Sequence, residues 1–353
     1  MNKIISILKE QKSIPIDKFI NIALYDKKFG YYIKKNPFGK EGDYITAPLI
    51  SNLFGEMIAI WCVAFWEYLK KPKKIFIVEL GPGDASLCEN LLNTFRNFDS
   101  FYKSVEIKLL EKSTKLKKIQ KNKIKNKKVK WIKDINEVKG GPILFVANEF
   151  FDSLPIKQIY KNKNMYFEKH VYLSNKKKIK FLLKKANKKL IKNIKKMNFG
   201  REGNTIEYPK IGIEYLKLIS QKINRYGGSI LVFDYGYTSR KNKDTLQSVK
   251  KHSYSYILNE PGKADITHHI NYSLFSKILK KNKLQVQKIV SQSEFLQKLG
   301  IIERANVLSK NMSFKSKADI FYRLQKLLHY KEMGTLFKVL CAQKKGSKFF
   351  LGF

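Results

Sequence analysis

A short segment in the first third of the chain has the residue types of a cofactor-binding loop. The segment runs from Glu79 to Gly83 and reads ELGPG. It closes the apolar run 75–78 and precedes a helix-like stretch, 86–95. A strand, a glycine turn and a helix in this order form a nucleotide or cofactor site at the carboxyl edge of a parallel sheet. A glycine turn that only joins a strand to a helix has the same short pattern, so other residues must distinguish the two.

The composition of the loop favours S-adenosylmethionine (SAM) over a dinucleotide. A dinucleotide loop needs a third glycine and leaves the helix N-terminus free for a pyrophosphate. In this chain Ser86 holds the third position, and Asp84 stands where phosphates would lie. SAM has no phosphate, and Glu79 can accept hydrogen bonds from its ammonium group. We therefore predict SAM as the cofactor.

Two further acids follow the next two predicted strands. Glu111 ends the apolar stretch 107–110, and Asp134 follows Trp131 by three residues. In a Rossmann-like site the acid after the second strand accepts hydrogen bonds from both ribose hydroxyls, and the acid after the third commonly receives an adenine amino group. Either residue alone is more simply a solvated carboxylate. With Glu79, however, they place acids at the ends of three successive strands, which indicates one site.

The fourth predicted strand ends in the polar and aromatic segment Asn148 to Asp152, NEFFD. In a methyltransferase this edge faces the methyl group, so its polar side chains are candidates for holding the nucleophile. Carboxylates can orient a cationic guanidinium and take up its proton. We predict Glu149 and Asp152 as the catalytic pair and group Asn148 with the cofactor-binding residues. The alternative is structural, with Asp152 starting a turn and Glu149 paired with a lysine.

Strands and helices alternate from residue 74 onward, which predicts a parallel sheet with helices on both faces. The predicted strands are 75–79, 106–110, 128–132, 143–147, 229–234, 285–290 and 336–343. Seven strands with the last two close to the C-terminus are typical of the class I SAM-dependent methyltransferase, a Rossmann-like α/β fold.

The remaining segments predict the organisation around that core. Residues 1–70 read as an N-terminal helical region, with helices at 14–24 and 53–69 around a binding loop, 29–48, rich in glycine, proline and aromatics. The core comprises 71–157 and 220–345, and the stretches 158–215 and 236–275 read as insertions that cover a substrate cleft.

Composition excludes several classes of protein. The 353 residues are 43% hydrophobic and 13% aromatic, which is enough for a globular core. The longest apolar run, 57–66, is too short to span a bilayer, which needs about 20 residues. The N-terminal residues lack a secretory signal, so we expect a cytoplasmic location. Cys62, Cys88 and Cys341 lack the spacing of a metal site or disulfide framework, and we predict neither.

The formal net charge of +42 raises the question of a nucleic-acid partner. Only six basic residues are arginine, the side chain that contacts guanine and phosphate at two points. Lysine, isoleucine and asparagine are enriched together, which is typical of an AT-rich genome. We therefore expect no specific nucleic-acid partner, while a surface for a polyanion or an acidic partner remains the alternative.

Several segments in order resemble the MidA family of SAM-dependent methyltransferases, which includes the mitochondrial complex I assembly factor that methylates an arginine of a core subunit. The matching segments include residues 42–48 (GDYITAP), 53–56 (LFGE), 79–83 (ELGPG), 148–152 (NEFFD), 234–236 (DYG), 244–247 (DTLQ) and 265–267 (DIT). The resemblance implies that Glu79, Gly81, Gly83, Glu111 and Asp134 bind SAM. It also implies that a loop containing Asp43 and Thr46 closes over the cofactor.

The chain departs from the family pattern in two places. Asp84 to Ser86 (DAS) stands where members usually have arginine, glycine and threonine, and Leu49 replaces a glutamate. The resemblance implies a methyltransferase that acts on a protein arginine, with a respiratory complex I subunit as its partner. Two alternatives stay open: a non-catalytic SAM-binding assembly factor, favoured by Leu49, and a nucleic-acid or small-molecule methyltransferase, favoured by the charge. A homodimer also stays open.

Overall fold

A computed structural model describes residues 2–34, 37, 46–197, 205–239 and 242–353. Its helices are α1 Asn2–Gln11, α2 Ile16–Tyr25, α3 Tyr31–Lys34, α4 Ala47–Ile50, α5 Asn52–Tyr68, α6 Ser86–Phe95, α7 Asp99–Ser104, α8 Thr114–Lys123, α9 Lys188–Met197, α10 Lys210–Tyr226, α11 Tyr272–Lys281, α12 Gln292–Lys298, α13 Ile301–Ser309, α14 Phe314–Leu328 and α15 Met333–Leu336. Its strands are β1 Ser13–Pro15, β2 Ile75–Leu80, β3 Val105–Leu110, β4 Val129–Ile132, β5 Ile143–Asn148, β6 Lys157–Asn162, β7 Met165–Leu173, β8 Ile179–Lys185, β9 Thr205–Tyr208, β10 Gly228–Tyr237, β11 Gln247–Lys250, β12 Ser253–Tyr254, β13 Asp265–Thr267, β14 Ile270–Asn271, β15 Leu284–Val286, β16 Val290–Ser291 and β17 Phe337–Lys344.

The central sheet has the strand order β15-β17-β10-β5-β2-β3-β4. Strands β10, β5, β2, β3 and β4 are parallel to one another, and β17 runs antiparallel to its two neighbours, β10 and β15. This confirms the predicted methyltransferase fold. One predicted strand, 285–290, is divided into β15 and β16, which pair with different parts of β17.

The sheet is buried on both faces because its strands are apolar on both sides. In β10, Leu231 and Phe233 pack into a cluster that includes helix α5, while Ile230 and Val232 pack into a second cluster that includes α10 and α11. This alternation follows from the period of two in a strand. Helices on both faces leave the carboxyl ends of the parallel strands as the open edge.

The N-terminal prediction was wrong at one point. Ile14 and Pro15, expected at the start of the helix 14–24, belong instead to β1, which pairs antiparallel with β7, with Ile14 opposite Val171. Pro15 favours an extended conformation for the residue before it and suits the start of a helix. Ile14 is buried with Val171 in a third apolar cluster, so a long-range contact decides the local structure.

The two predicted insertions contain small sheets. Strands β6 to β9 join β1 in one sheet, and β11 to β13 form another. The second sheet lies against the core at a defined point, since the backbone N–H of His268 donates to the carbonyl of Asp152 at 3.0 Å. The strands of the second insertion therefore stand beside the open edge of the central sheet. No helix in the described ranges is long and apolar enough to cross a membrane.

A glycine at the start of β10 sets the close pairing of that strand with β5. Gly228 has φ +112°, and a Cβ there would lie 1.9 Å from the carbonyl oxygen of Ile143. We predict that Gly228→Ala lowers the free energy of unfolding by roughly 3 kcal/mol or more, because backbone strain and a steric clash add. Denaturant unfolding measures this.

Gly227→Ala is the matched control for this substitution. Gly227 also has a positive φ, +81°, but a Cβ there meets nothing within 4 Å. With ψ at 174° this backbone also strains an alanine, so we expect a cost of about 1–3 kcal/mol, smaller than the cost at Gly228, where the steric clash adds to the strain. Equal costs for the two variants would contradict the assigned close approach between β10 and β5.

Candidate active site

A cleft opens at the carboxyl ends of β2, β3 and β5, and its empty space, counted out to the solvent at its mouth, is about 960 Å³. The predicted site residues that line it are Thr46, Glu79, Gly81, Gly83, Glu111, Asn148 and Glu149. The structure thus brings together residues from the N-terminal region and from three strands. Asp43 lies outside the described residues, and Asp134 and Asp152 are not part of the cleft wall.

The glycine loop after β2 has the backbone that its sequence requires. Gly81 and Gly83 have φ values of +65° and +56°, and a Cβ at Gly81 would lie 2.8 Å from the ring of Phe150. Larger residues would therefore be strained at both positions and would push Phe150 at the first. The turn brings main-chain atoms up to the cleft, as a cofactor loop must.

The departure at Asp84 is accommodated by local hydrogen bonds. Its carboxylate accepts hydrogen bonds from the Ser86 backbone N–H at 3.1 Å and the Ser86 hydroxyl at 2.7 Å. Lys123 lies 3.2 Å from the same carboxylate. Asp84 therefore stabilises the first turn of α6, and its charge is partly compensated.

Glu79 is the acid that most clearly lacks a partner in the described structure. Its side chain is 3% exposed, and its Oε2 is buried without a hydrogen bond there. Burial raises the pKa of Glu79 to about 8, with smaller contributions from Asp84 and Glu111. A cation in the cleft would supply the missing partner. The ammonium group of SAM has the charge and the donors for this position.

Glu111 is held in place from two sides. Its Oε1 accepts from the Ser113 backbone N–H at 2.7 Å, and its Oε2 accepts from the Gln120 side chain at 3.2 Å. Burial raises the pKa of this carboxyl, although the hydrogen bonds oppose the shift. Each carboxylate oxygen can accept further hydrogen bonds, so ribose hydroxyls fit here.

Sequence reasoning missed Gln120, which connects three parts of the site. Its Nε2 donates to the Gly83 carbonyl at 2.7 Å as well as to Glu111, and its Oε1 accepts from the Trp131 indole at 2.8 Å. The side chain is fully buried. A glutamine in the lysine-rich helix α8 gives no sequence signal, because its partners lie on other elements.

Asp134 has a structural task in this fold. It is exposed, and its carboxylate accepts from the Asn136 backbone N–H at 2.6 Å. Glu137 in turn accepts from the Asp134 N–H at 2.8 Å, which completes a capping box around a short 3₁₀ turn. A contact with adenine stays a prediction for this residue.

Thr46, which precedes α4, and Pro48 in its first turn line one side of the cleft. Thr46 is buried, and its carbonyl accepts from the backbone N–H of Leu49 at 2.9 Å. Leu49, the second departure from the family pattern, is half-buried and is not part of the cleft wall.

Glu149 lies in the cleft wall where β5 ends. Its φ is +51°, and its backbone N–H donates to the Phe233 carbonyl at 2.9 Å. Burial, followed by the charge of Asp152, raises the pKa of the Glu149 carboxyl to about 8. A non-glycine residue with a left-handed backbone lowers the stability of the fold. The strained turn places the Glu149 side chain in the cleft wall.

Asp152 stands behind Glu149, out of the cleft wall. Burial raises the pKa of Asp152 to about 6, and the hydroxyl of Tyr235 donates to its carboxylate. The Asp152 backbone N–H donates to the fully buried Asp234 at 3.2 Å. Among the described residues, no lysine or arginine forms an ion pair with Glu149, and the alternative in which it pairs with a lysine is therefore not what the structure shows.

Aromatic side chains form the rest of the wall. Tyr25 and Tyr32 stack with their ring centroids 5.6 Å apart, and the Tyr32 hydroxyl donates to Asp265 at 2.9 Å. Tyr215 contributes from α10 and contacts the edge of Phe150. Tyr32 falls in the predicted binding loop 29–48, whereas Tyr25 follows the predicted helix 14–24 and Tyr215 lies at the end of the predicted insertion 158–215, and neither was predicted to line the site.

Comparison with known proteins identifies the family. A family described as "Putative S-adenosyl-L-methionine-dependent methyltransferase" matches residues 57–290. The chain belongs to this family. The predicted resemblance, the SAM cofactor and the class of reaction, methyl transfer from SAM, are thereby confirmed. The methyltransferase has no group of three potential metal-ligating side chains within its described ranges.

Its relatives extend over most of the chain. Protein arginine methyltransferase NDUFAF7, mitochondrial, from Xenopus laevis is 29% identical over 96% of this chain and 83% of its own length. The Homo sapiens protein of the same name is 28% identical over 94% and 80%. A superfamily member from Burkholderia thailandensis, solved with S-adenosyl-homocysteine, superposes with a TM-score of 0.83 at 21% identity, over 99% of this chain and 93% of that chain. It shows the same fold.

We predict that Glu111→Ala weakens SAM binding to the methyltransferase by about 1–3 kcal/mol, because two hydrogen bonds to the ribose are lost. Isothermal calorimetry measures the dissociation constant. Glu106→Ala is the control, since Glu106 lies on β3, the strand that Glu111 follows, but pairs with Lys74 and Lys108 and is not part of the cleft wall. An unchanged affinity in Glu111→Ala would remove Glu111 from the site.

The raised pKa of Glu79 predicts a pH dependence of SAM binding. Below a pH of about 8 the free protein holds Glu79 protonated, and a neutral carboxyl attracts an ammonium less than a carboxylate does. Affinity should therefore rise between pH 6 and pH 8 by up to about tenfold per unit, with release of a proton on binding. Calorimetry in buffers of different ionisation enthalpy measures that proton. Glu79→Gln should remove the slope, and an unaltered slope in this variant would assign the titration to another group.

Proposed function

We propose that the methyltransferase transfers the methyl group of SAM to a guanidinium nitrogen of an arginine in a protein. The observation that carries the proposal is the pair of carboxyl groups at the edge where β5 ends, the half-buried Glu149 in the cleft wall and the buried Asp152 behind it. Curated relatives over most of the chain are named protein arginine methyltransferases, which supports the same reaction.

The site has the charge that a guanidinium needs. Burial holds the pKa of Glu149 at about 8 and that of Asp152 at about 6. A cationic side chain beside them would lower both values, so the two groups would bind it as carboxylates. Nothing in the described structure already neutralises them, since neither forms an ion pair there.

The chain's own residues then have defined tasks. SAM supplies an electrophilic methyl group on its sulfonium. Glu149, in the cleft wall, would accept two hydrogen bonds from the guanidinium and set the nitrogen in line with that methyl group. As the nitrogen bonds to the methyl carbon, the methyl–sulfur bond would break and its electron pair would stay on the sulfur of the product, S-adenosylhomocysteine. Glu149 would accept the proton that the nitrogen loses. Asp152, which accepts a hydrogen bond from Tyr235 and donates its backbone N–H to the Asp234 carboxylate, adds negative charge behind Glu149 that favours the cation.

The partner and location belong to the same proposal. We propose a subunit of respiratory complex I as the protein substrate, on the strength of the family resemblance, and a cytoplasmic location. The surface charge is consistent with an acidic or mixed-charge partner, and it is not needed for the chemistry.

A labelled methyl group transferred from SAM to a lysate of the source organism tests the reaction, with mass spectrometry to locate the modified residue. Label on an arginine of one protein is the expected result. Label on nucleic acid at a matching rate would contradict it. If SAM binds by calorimetry but no label is transferred, the non-catalytic assembly factor is the better account. Restoration of transfer by Leu49→Glu would then identify Leu49 as the cause.

We predict that Glu149→Gln lowers kcat by about 10²–10⁴, the usual range for loss of a proton acceptor, and that Asp152→Asn lowers it in the same direction. Both should keep the SAM dissociation constant of the wild type. Glu207→Gln is the matched control, because burial also raises the pKa of Glu207, to about 7, but this residue is not in the cleft wall. Wild-type turnover in Glu149→Gln would end its proposed role.

A further inference from the structure

Helices α13 and α14 form a hairpin on the surface. Their inner faces contribute Ala305, Leu324 and Leu327 to the apolar cluster beside the central sheet. The connecting turn is hydrogen-bonded, since the Met312 N–H donates to the Ser309 carbonyl at 3.1 Å. The Ser313 hydroxyl accepts from the Ser316 N–H at 3.3 Å and caps α14. The turn is therefore a built part of the fold.

The end of this hairpin exposes large apolar side chains. Val307 is 68% exposed, Met312 is 40% exposed and Phe314 is 87% exposed. Three lysines lie among them, Lys310, Lys315 and Lys317, and residues 306–318 contain no acid. We call these six side chains the hairpin tip. Exposed apolar groups of this size cost solubility and mark interaction sites.

The combination of protruding apolar side chains and lysines points to one kind of partner. Apolar side chains can enter the boundary between headgroups and acyl chains, while lysines bind lipid phosphates at the same level. Tyr322 lies two turns along α14 from Phe314, is 58% exposed, and has Lys326 4.9 Å from its ring. Tyrosine and lysine are residues that membrane–water interfaces favour.

A second copy of the chain fits this surface less well. A symmetric contact would place the lysines of one tip against those of the other, and like charges across an interface are unfavourable. No acid within 306–318 would compensate them. An anionic surface, in contrast, is attracted by the tip and by the net charge of +42.

We propose that the hairpin tip binds the surface of membranes that contain anionic lipids, with Phe314 and Val307 inserted at the interface. This is a peripheral contact and is independent of the methyl-transfer reaction, since the tip is not part of the cleft. Its attraction should weaken as salt is added.

Co-sedimentation of the full chain with vesicles tests the proposal. We expect binding to vesicles of phosphatidylcholine mixed with phosphatidylglycerol and little binding to phosphatidylcholine alone. Phe314→Ser should weaken binding to the mixed vesicles about tenfold, because the variant lacks the aromatic side chain that inserts into the membrane interface. Replacement of Lys310, Lys315 and Lys317 by glutamine should remove the preference for the anionic lipid. SAM affinity, measured in each variant, should be unchanged.

Two matched controls test whether vesicle binding depends on the hairpin tip itself or on any exposed aromatic side chain and any cluster of lysines. Tyr254→Ser removes another exposed aromatic, 80% exposed on β12. Replacement of Lys176, Lys177 and Lys178 by glutamine removes another cluster of three exposed lysines. Both should bind the mixed vesicles as the wild type does. The proposal is overturned if the wild type does not bind anionic vesicles, or if tip and control variants lose binding equally. A dimer in light scattering that Phe314→Ser dissociates would also overturn it, since the tip would then bind a second copy.

Discussion

Carboxyl groups buried without a cationic partner are the constraint on which the rest of the site depends. Glu79 and Glu149 have pKa values near 8, chiefly because burial removes their solvation, and each also faces another acid. Such groups lower the stability of the fold, because a carboxyl removed from water loses its solvation and no partner replaces it. A cation from outside the chain would compensate this loss. The proposed reaction supplies two cations, the ammonium group of SAM near Glu79 and a guanidinium near Glu149.

The parallel sheet explains why these acids meet. In β2, Glu79 lies opposite Val146 of β5, two residues before Asn148, and β10 continues the same register with Phe233 opposite Asn148. Because the strands run in one direction, their final residues converge on a single edge. The glycine loop then turns the chain away, which leaves the cleft open. The sheet thus brings acids that are far apart in the sequence to one wall of the cleft.

Much of this could be predicted from the sequence, and the remainder could not, for physical reasons. Apolar runs bounded by turn residues predicted the strands well, because burial on both faces demands such runs. Glu79, Glu111 and Glu149 were predictable because an acid at a strand end is a local pattern. Gln120 was not, since its partners come from three other elements. Strand β1 was missed for the same reason: its pairing partner, β7, lies more than 150 residues along the chain.

The electrostatic contrast within the molecule also argues for a ligand at Glu149. The chain has 71 basic and 29 acidic side chains, so lysines are available to pair with buried acids. Lys157, for example, forms an ion pair with Glu168. At Glu149 no such lysine is present among the described residues. The same residue also takes a left-handed backbone, with φ +51°. Strain of this kind typically costs about 1–3 kcal/mol. A residue with only a structural task would avoid both costs, with a glycine or asparagine in the turn and a lysine beside the acid. That both costs fall on one side chain in the cleft wall is the expected mark of a group whose partner arrives with the substrate.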